Sequence, residues 1–288
     1  MGPYWLYRIG LFLVHALPRG WAYGLARWVA DRHFSFSRRD REAVLRNLRQ
    51  ITGRQEGLTP LARQVFRNFA HYLMDFFLMR ETVTEEFLRK NMIIEGRHHL
   101  EAALARGKGI VVLTAHLGNW EMGAAGMAGL GHPVAAVALP HRDPRVNALF
   151  DGQRQHYGVT VIPVQTALRK SLGILRKGGL VALLGDREFG SGGETMDFLG
   201  TRALIPKGPA FLALRTGAMV LPAFFIPTDG GKYRIIFEPM IVPPEPTAGE
   251  DEEEALRRLM RAYLLPVERM IRRYPEHWLL FRDFGVTS

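Results

Sequence analysis

Residues 109–121 read GIVVLTAHLGNWE and pass from a short apolar run into a histidine, a glycine, an asparagine and a glutamate. The apolar run lacks polar alternation, which is typical of a strand that is buried on both faces of a sheet. Gly118 permits a tight turn, and Asn119 is a favourable first residue for a helix. The stretch therefore predicts a strand, a turn and a helix, the unit from which α/β sheets are built.

The same alternation of apolar runs and helical segments continues along the chain. Further apolar runs begin at residues 134, 159, 180, 219 and 233. Segments of helical length, with glycine or proline at their ends, lie between most of these runs, at 119–130, 144–157, 166–177 and 206–216. Helical spacing also occurs at 40–51, 59–80, 84–90 and 252–273. The pattern predicts an α/β fold with a mainly parallel central sheet flanked by helices.

The N-terminal segment differs in character from the rest of the chain. Residues 4–30 are rich in aromatic and aliphatic side chains, but Arg8, Arg19 and Arg27 interrupt them before the 18 or so apolar residues of a membrane span are reached. Aromatic residues also stand where a secretory signal needs small ones. We predict a membrane-associating helical segment at 1–50 that lies in the bilayer interface, followed by a single α/β domain at 51–288. The alternative is that its large apolar side chains pack on the protein's own core: Trp5, Leu6, Leu11, Phe12 and Trp21.

Charge and composition restrict the partners. The formal net charge is +10, and the acidic run at 250–254 contributes five negative charges, so the remainder carries about +15. Such a surface favours anionic lipids or an acidic protein. No zinc-finger or RNA-binding signature favours nucleic acid. The chain has no cysteine, and His98, His99 and His141 show no metal-ligand spacing, so they are interpreted as loop or surface residues and no metal site is predicted.

His116 is the strongest candidate for chemistry. It follows a predicted strand, and functional groups collect where parallel strands end. A turn at Gly118 and Asn119 would allow Glu121 to accept a hydrogen bond from one imidazole nitrogen, which would leave the other as a general base. The chain has neither a cysteine nor a Gly-x-Ser-x-Gly elbow, so a hydroxyl of the substrate is the group to be deprotonated. A structural histidine remains the alternative at this point.

Several stretches resemble one family. HLGNWE at 116–121 is similar to the histidine and acidic-residue box of the lysophospholipid acyltransferase superfamily, in particular its lipid A biosynthesis branch and the related phosphatidylinositol mannoside acyltransferases. Further resemblance runs through RDREAVLRNL, DPRVNALFDGQRQHYGVTVIP, the stretch at 185–224 and YPEHWLLFRDF at 274–284. The resemblance implies transfer of an acyl group from an acyl carrier protein or acyl-CoA thioester to a lipid hydroxyl, at the cytoplasmic face of the bacterial inner membrane. The thioester is a co-substrate, and no cofactor is expected.

The resemblance implies roles for three residues, and positions in the predicted fold suggest roles for four more. His116 becomes the base, Glu121 its orienting carboxylate, and Arg154 an active-site arginine. Asp186 and Arg187, which follow another predicted strand, are expected to bind substrate or support the site. Lys207 and Gly208 open a predicted helix whose backbone donors could hold a phosphate.

Two further expectations concern the loops of the site. Backbone amides of the Gly118–Asn119 turn, together with Arg154, are candidate oxyanion donors. The glycine-rich stretch REFGSGG at 187–193 is predicted to be mobile, and its Glu188 and the nearby Glu194 receive no role.

Two other functions stay open on the sequence. A peripheral protein could bind lipid without turnover, or a thioesterase or lysophospholipase could use the same base to activate water. The acceptor lipid, the acyl chain length and the choice between carrier protein and CoA are not determined by the residues.

Overall fold

The computed structural model describes residues 3–188, 192–245 and 251–285. Part of the glycine-rich stretch predicted to be mobile, residues 189–191, lies outside these ranges. The helices are α1 Pro3–Ala16, α2 Arg19–Phe36, α3 Arg38–Thr52, α4 Thr59–Thr82, α5 Glu85–Asn91, α6 Arg97–Ala105, α7 Trp120–Gly129, α8 Pro144–His156, α9 Ala167–Arg176, α10 Gly208–Thr216 and α11 Glu252–Arg273. The strands are β1 Met92–Glu95, β2 Ile110–Thr114, β3 Val134–Ala138, β4 Thr160–Pro163, β5 Leu180–Leu184, β6 Gly193–Phe198, β7 Thr201–Pro206, β8 Met219–Pro227 and β9 Tyr233–Phe237.

Seven strands form one mainly parallel sheet, in the order β1-β9-β8-β2-β5-β3-β4. Strand β2 is central and pairs in parallel with β8 on one side and β5 on the other. Only the pairing of β8 with β9 is antiparallel in this sheet as described. The predicted fold class, α/β with a mainly parallel sheet between helices, is confirmed.

The central strand is apolar throughout because both of its faces are covered. Val111 and Leu113 belong to a core that also contains residues of α10 and α11. Ile110 and Val112 point to the opposite face and belong to a core shared with α4, α7 and α8. Alternate side chains of β2 therefore pack against helices on opposite faces of the sheet. This explains why β2 shows no polar alternation.

The N-terminal helices expose much of their apolar surface. Phe12 and Trp21 are 70% and 75% exposed, whereas Val14, Ala22 and Phe34 are buried. The alternative that the large N-terminal side chains pack on the protein's own core is therefore wrong for four of the five residues named for it: Trp5, Leu6, Phe12 and Trp21. Leu11 does pack against the core beneath α4. No helix in the three described ranges is both long and apolar enough to cross a membrane.

Helices and strands with strong local patterns lie where the sequence predicts them. The helix predicted at 59–80 is α4, and the last helix at 252–273 is α11. The prediction missed β1, α6 and the antiparallel hairpin of β6 and β7. The hairpin turns at Leu199 and Gly200, both with positive φ. Leucine seldom adopts this conformation, and here tertiary contacts hold it: Leu199 is buried, and its backbone bonds to Glu268 and Gln50.

Candidate active site

The register between β2 and β5 brings His116 and Asp186 together. Thr114 at the end of β2 is paired with Leu184 at the end of β5. His116 and Asp186 each lie two residues beyond this pair, in chains that run in the same direction. Equal offsets from paired residues in adjacent parallel strands place two side chains at the same point of the sheet edge. The strand order, not local sequence spacing, therefore selects this pair.

Three hydrogen bonds fix the Asp186 carboxylate. Its Oδ1 lies 2.8 Å from His116 Nδ1, and its Oδ2 accepts from the backbone N–H of His116 at 3.1 Å and from the indole N–H of Trp278 at 2.9 Å. Burial by itself would raise the pKa of Asp186, but the interactions with His116, Arg187 and Trp278 hold that pKa well below its usual range. An ionised carboxylate only accepts hydrogen bonds, so the proton between the two side chains belongs to Nδ1.

The protonation of His116 follows from its surroundings. Burial is the largest influence on the pKa of His116 and lowers it; Asp186 acts in the opposite direction, but the pKa lies below its ordinary value. Arg187 and Arg282 lower the pKa further. At neutral pH the ring is therefore neutral, with the proton on Nδ1 and a lone pair on Nε2. This is the tautomer that a general base requires.

Glu121 makes a different contact from the predicted one. Its two oxygens accept from Nη2 and Nε of Arg154, at 2.6 and 2.9 Å, in a bidentate ion pair. The predicted role of Glu121 as the carboxylate that orients the His116 imidazole is wrong, because Asp186 takes that role and both Glu121 oxygens accept from Arg154. Glu121 lies in the first turn of α7 and Arg154 in the last turn of α8, where their charges complement the helix dipoles.

The charge of Arg154 is secured by the same contact. Burial would lower its pKa, but the hydrogen bond and charge of Glu121 raise it, with Asp151 contributing. Nη1 of Arg154 donates to Asp151 at 3.3 Å. The arginine is therefore a fixed, partly buried cation.

Gly118 and Asn119 form the turn that the sequence predicts. Gly118 has a φ of +69°, and an added Cβ would lie 2.1 Å from the carbonyl oxygen of Phe225, so only glycine fits. Asn119 caps α7 by accepting from the backbone N–H of Met122. Their role as oxyanion donors is wrong, because the backbone N–H of Gly118 donates to His277 and that of Asn119 donates to Phe225.

One large cavity collects most of the predicted site residues. Its volume is about 1160 Å³, and its polar lining includes His116, Glu121, Arg154, Arg187, Lys207 and Gly208. Asp186 is only 1% exposed and supports His116 from behind. Most of the remaining lining is apolar and comes from α1, α4, α8, α9, α10 and the ends of β3 and β5. The cavity combines a neutral imidazole, several cations and room for hydrocarbon.

The cavity wall also contains residues for which no role is predicted from the sequence. His141, interpreted as a loop or surface histidine, lies in the loop before α8 and lines the cavity beside Phe150. Burial lowers its pKa, as does the charge of Arg154. Glu188 and Glu194 also line the wall. No local pattern marks these residues, because the walls come from segments far apart in the chain.

Within the three described ranges, no group of three or more histidine, aspartate or glutamate side chains is arranged to hold a metal ion. The expectation that the reaction needs no cofactor stays a prediction.

The chain is similar to acyltransferases of two kinds. The phosphatidylinositol mannoside acyltransferase of Mycobacterium tuberculosis (strain H37Rv) is 29% identical over 226 residues, which cover 76% of this chain and 71% of that protein. The lipid A biosynthesis acyltransferase of Haemophilus influenzae is 29% identical over 180 residues, which cover 61% and 54%. The chain is an acyltransferase.

The profile of the bacterial lipid A biosynthesis acyltransferases matches residues 1–283, so the chain belongs to that family. Among solved structures, the 1-acyl-sn-glycerophosphate acyltransferase PlsC of Thermotoga maritima has 16% sequence identity, covers 87% of this chain and 97% of its own, and gives a TM-score of 0.40.

Proposed function

We propose that this enzyme transfers a fatty acyl group from a thioester, carried by acyl carrier protein or CoA, to a hydroxyl of a sugar-bearing membrane lipid, with His116 as the general base. The observation that carries the proposal is the 2.8 Å contact between His116 Nδ1 and the buried Asp186 at the wall of a large apolar cavity. The acceptor class is supported by the names of the relatives, which pair phosphatidylinositol mannoside with lipid A. A lipid A precursor or a related glycolipid is the acceptor we favour.

The chemistry begins at Nε2 of His116. The lone pair on Nε2 accepts the proton of the acceptor hydroxyl as its oxygen attacks the thioester carbonyl. The tetrahedral intermediate then collapses, the C–S bond breaks, and the proton passes from Nε2 to the departing thiolate. Asp186 stabilises the transient imidazolium and keeps Nδ1 protonated, which a positioned base needs throughout the cycle.

Arg154 is the candidate for stabilising the oxyanion. Each terminal nitrogen of its guanidinium carries two hydrogens, and in the described contacts each gives one to a carboxylate. One hydrogen on each is left to meet negative charge that develops in the cavity. Glu121 and Asp151 hold the plane of the guanidinium, so little reorganisation is needed during the reaction. We assign Glu121 to positioning Arg154.

The remaining cations and the apolar walls are suited to bind different parts of the substrates. Arg187, Lys207 and the start of α10 at Gly208 line the cavity and suit a phosphate of the acceptor or the donor. The cavity volume of about 1160 Å³ exceeds the roughly 300–1,000 Å³ of ordinary small-molecule sites, which favours an acyl chain together with part of the acceptor.

The exposed face of α1 and α2 is proposed to bind the cytoplasmic surface of the inner membrane. Its apolar side chains include Phe12, Trp21 and Trp28, and exposed arginines such as Arg8 and Arg27 lie among them. Aromatic and cationic side chains together suit the interface of an anionic bilayer. Replacement of Trp21 and Trp28 by alanine should reduce cosedimentation with phosphatidylglycerol vesicles several-fold. Leu265→Ala on α11, also an exposed apolar residue, is the control and should bind as wild type.

The catalytic proposal is tested with labelled donors and a panel of acceptors. Wild type and His116→Ala are given radiolabelled acyl carrier protein and acyl-CoA thioesters with lipid A precursors, phosphatidylinositol mannosides and lysophospholipids. We expect labelled glycolipid from wild type and a loss of roughly 10²- to 10⁴-fold in His116→Ala. His98→Ala, an exposed histidine, is the control and should keep full activity. Equal product from His116→Ala would remove the base assignment, and free fatty acid released without any acceptor would identify a thioesterase instead.

A further inference from the structure

The C-terminal segment after α11 is bonded directly to the loop that carries His116. The backbone N–H of Gly118 donates to the carbonyl of His277 at 2.9 Å, and the N–H of Leu279 donates to the carbonyl of His116 at 2.8 Å. Leu117 and Trp278 form an isolated antiparallel bridge between these two bonds. The segment 277–279 therefore acts as a short extra strand along the catalytic loop, although it lies about 160 residues further along the chain.

This bridge aims one side chain at the catalytic pair. The Trp278 indole N–H reaches Oδ2 of Asp186 at 2.9 Å, and Trp278 is 2% exposed. Because Oδ2 also accepts the backbone N–H of His116, the rotation of the carboxylate is fixed, and Oδ1 must face Nδ1 of the imidazole. Loss of the indole N–H would leave Oδ2 with a single protein donor among these three bonds.

We propose that Trp278 is a positioning residue for acyl transfer: its indole N–H locks the Asp186 carboxylate against His116 and limits how strongly that carboxylate binds the imidazole. The proposal rests on the proposed function, because it concerns the base of that reaction. The catalytic unit is then a line of three side chains, Trp278, Asp186 and His116, assembled from three separate parts of the chain.

The N-terminal helices hold the segment in place. The side-chain amide of Asn47 in α3 donates to the carbonyls of Leu280 and Arg282, at 3.3 and 2.9 Å. Asn68 in α4 donates to the carbonyl of Glu276 at 2.8 Å. Amide side chains on two helices thus fix the backbone on both sides of Trp278, which is what a rigid positioning contact requires.

Loss of the Trp278 indole N–H should raise the pKa of His116. The charged groups that act on His116 are Asp186, Arg187 after β5 and Arg282 in the C-terminal segment. An indole N–H bonded to a carboxylate stabilises its negative charge and weakens its attraction for a neighbouring cation. Without that N–H, Asp186 becomes a stronger partner for the imidazolium, and the pKa of His116 rises. The acidic limb of the rate profile therefore moves to higher pH.

The experiment compares wild type with Trp278→Phe and with 3-benzothienylalanine at position 278, a sulfur isostere that keeps the shape of tryptophan without its N–H. In the transfer assay we expect kcat/KM at neutral pH to fall roughly 10-fold in both variants, the effect of one lost hydrogen bond to a charged group. The acidic limb should rise by about half a pH unit. The control is Phe284→Leu, which loosens the aromatic cluster 5.1 Å from the Trp278 ring and leaves the N–H in place. It should lower the melting temperature without moving the limb.

A second readout needs no substrate. The His116 imidazole is followed by NMR titration of histidine-labelled protein and identified by its absence in His116→Ala. An upward shift of about half a unit in both position 278 variants supports the proposal. An unmoved titration in the correctly folded isostere overturns it. If His116→Ala retains activity, the proposed function fails instead, so the two failures are distinguishable.

Discussion

Two buried acid–base pairs stand at the wall of the same cavity, and they are built differently. His116 and Asp186 follow adjacent parallel strands at equal offsets, and the backbone of His116 itself bonds to the carboxylate. Glu121 and Arg154 lie at opposite ends of two helices and meet only through their side chains. In the first pair the histidine is neutral, so a proton can be taken up. In the second pair both partners are charged, which suits the stabilisation of charge rather than proton transfer.

The different positions of the two pairs in the fold suit them to different chemical roles. A strand end fixes a side chain within the hydrogen-bonded sheet, which gives the precision that a general base needs. Arg154 reaches the cavity from a helix end, where Glu121 and Asp151 hold its guanidinium as a permanent positive charge. The two carboxylates therefore carry different duties, although both are about equally buried as acidic side chains at the site.

The largest expected effect comes from breaking the strand-end pair. Asp186→Asn keeps the size of the side chain, but its amide no longer attracts an imidazolium and can hold the wrong imidazole tautomer. We expect a loss of roughly 10²- to 10³-fold in kcat with a smaller change in KM. Asp197→Asn, an exposed aspartate on β6, is the control in the transfer assay and should behave as wild type. A loss below 10-fold for Asp186→Asn would mean that this carboxylate is structural only.

Substitutions in the pair of Glu121 and Arg154 should lower kcat less than substitutions in the pair of His116 and Asp186. The effects of changing Glu121 and Arg154 should not be independent. Arg154→Lys keeps a charge but loses the bidentate contact, and Glu121→Gln keeps the shape of the acid but loses its charge. Each single variant should lower kcat roughly 10- to 10²-fold, and the double variant should lose much less than the product of the two. Steady-state kinetics of the four proteins in a double-mutant cycle measure this coupling. Fully multiplicative losses would show that Glu121 does not act through Arg154.

The smallest expected effect is on the pH dependence of the wild-type enzyme, in which, of the two pairs, only that of His116 and Asp186 should titrate near neutrality. A base works when it is unprotonated, so kcat/KM should fall as the pH drops through the pKa of His116. Because burial lowers that pKa, the acidic limb should lie below the ordinary histidine value of about 6.5. Arg154 contributes no limb near neutrality, since Glu121 raises the pKa of its guanidinium further. A pH–rate profile with its acidic limb above about 7 would contradict this protonation state.

Much of the architecture could be predicted from local patterns. Helix α4 shows apolar residues at three- and four-residue spacing, and β2 is a continuous apolar run, so both were recognisable in isolation. The hairpin of β6 and β7 was not, because its turn contains a leucine at positive φ that is held there by contacts with α3 and α11. Such contacts leave no trace in a local sequence window.

Some features of the candidate site could likewise be predicted from local sequence, and others could not. Local sequence is enough to predict that His116 follows a buried strand, that Gly118 and Asn119 turn the chain into a helix, and that Arg154 lies in a last helical turn. These features depend on neighbouring residues. The identity of the carboxylate that contacts the imidazole depends on the three-dimensional fold. The spacing of five residues made Glu121 the natural choice, but the order of strands in the sheet placed Asp186 there instead. Strand order depends on contacts between residues far apart in the chain, and spacing within one motif carries no information about it.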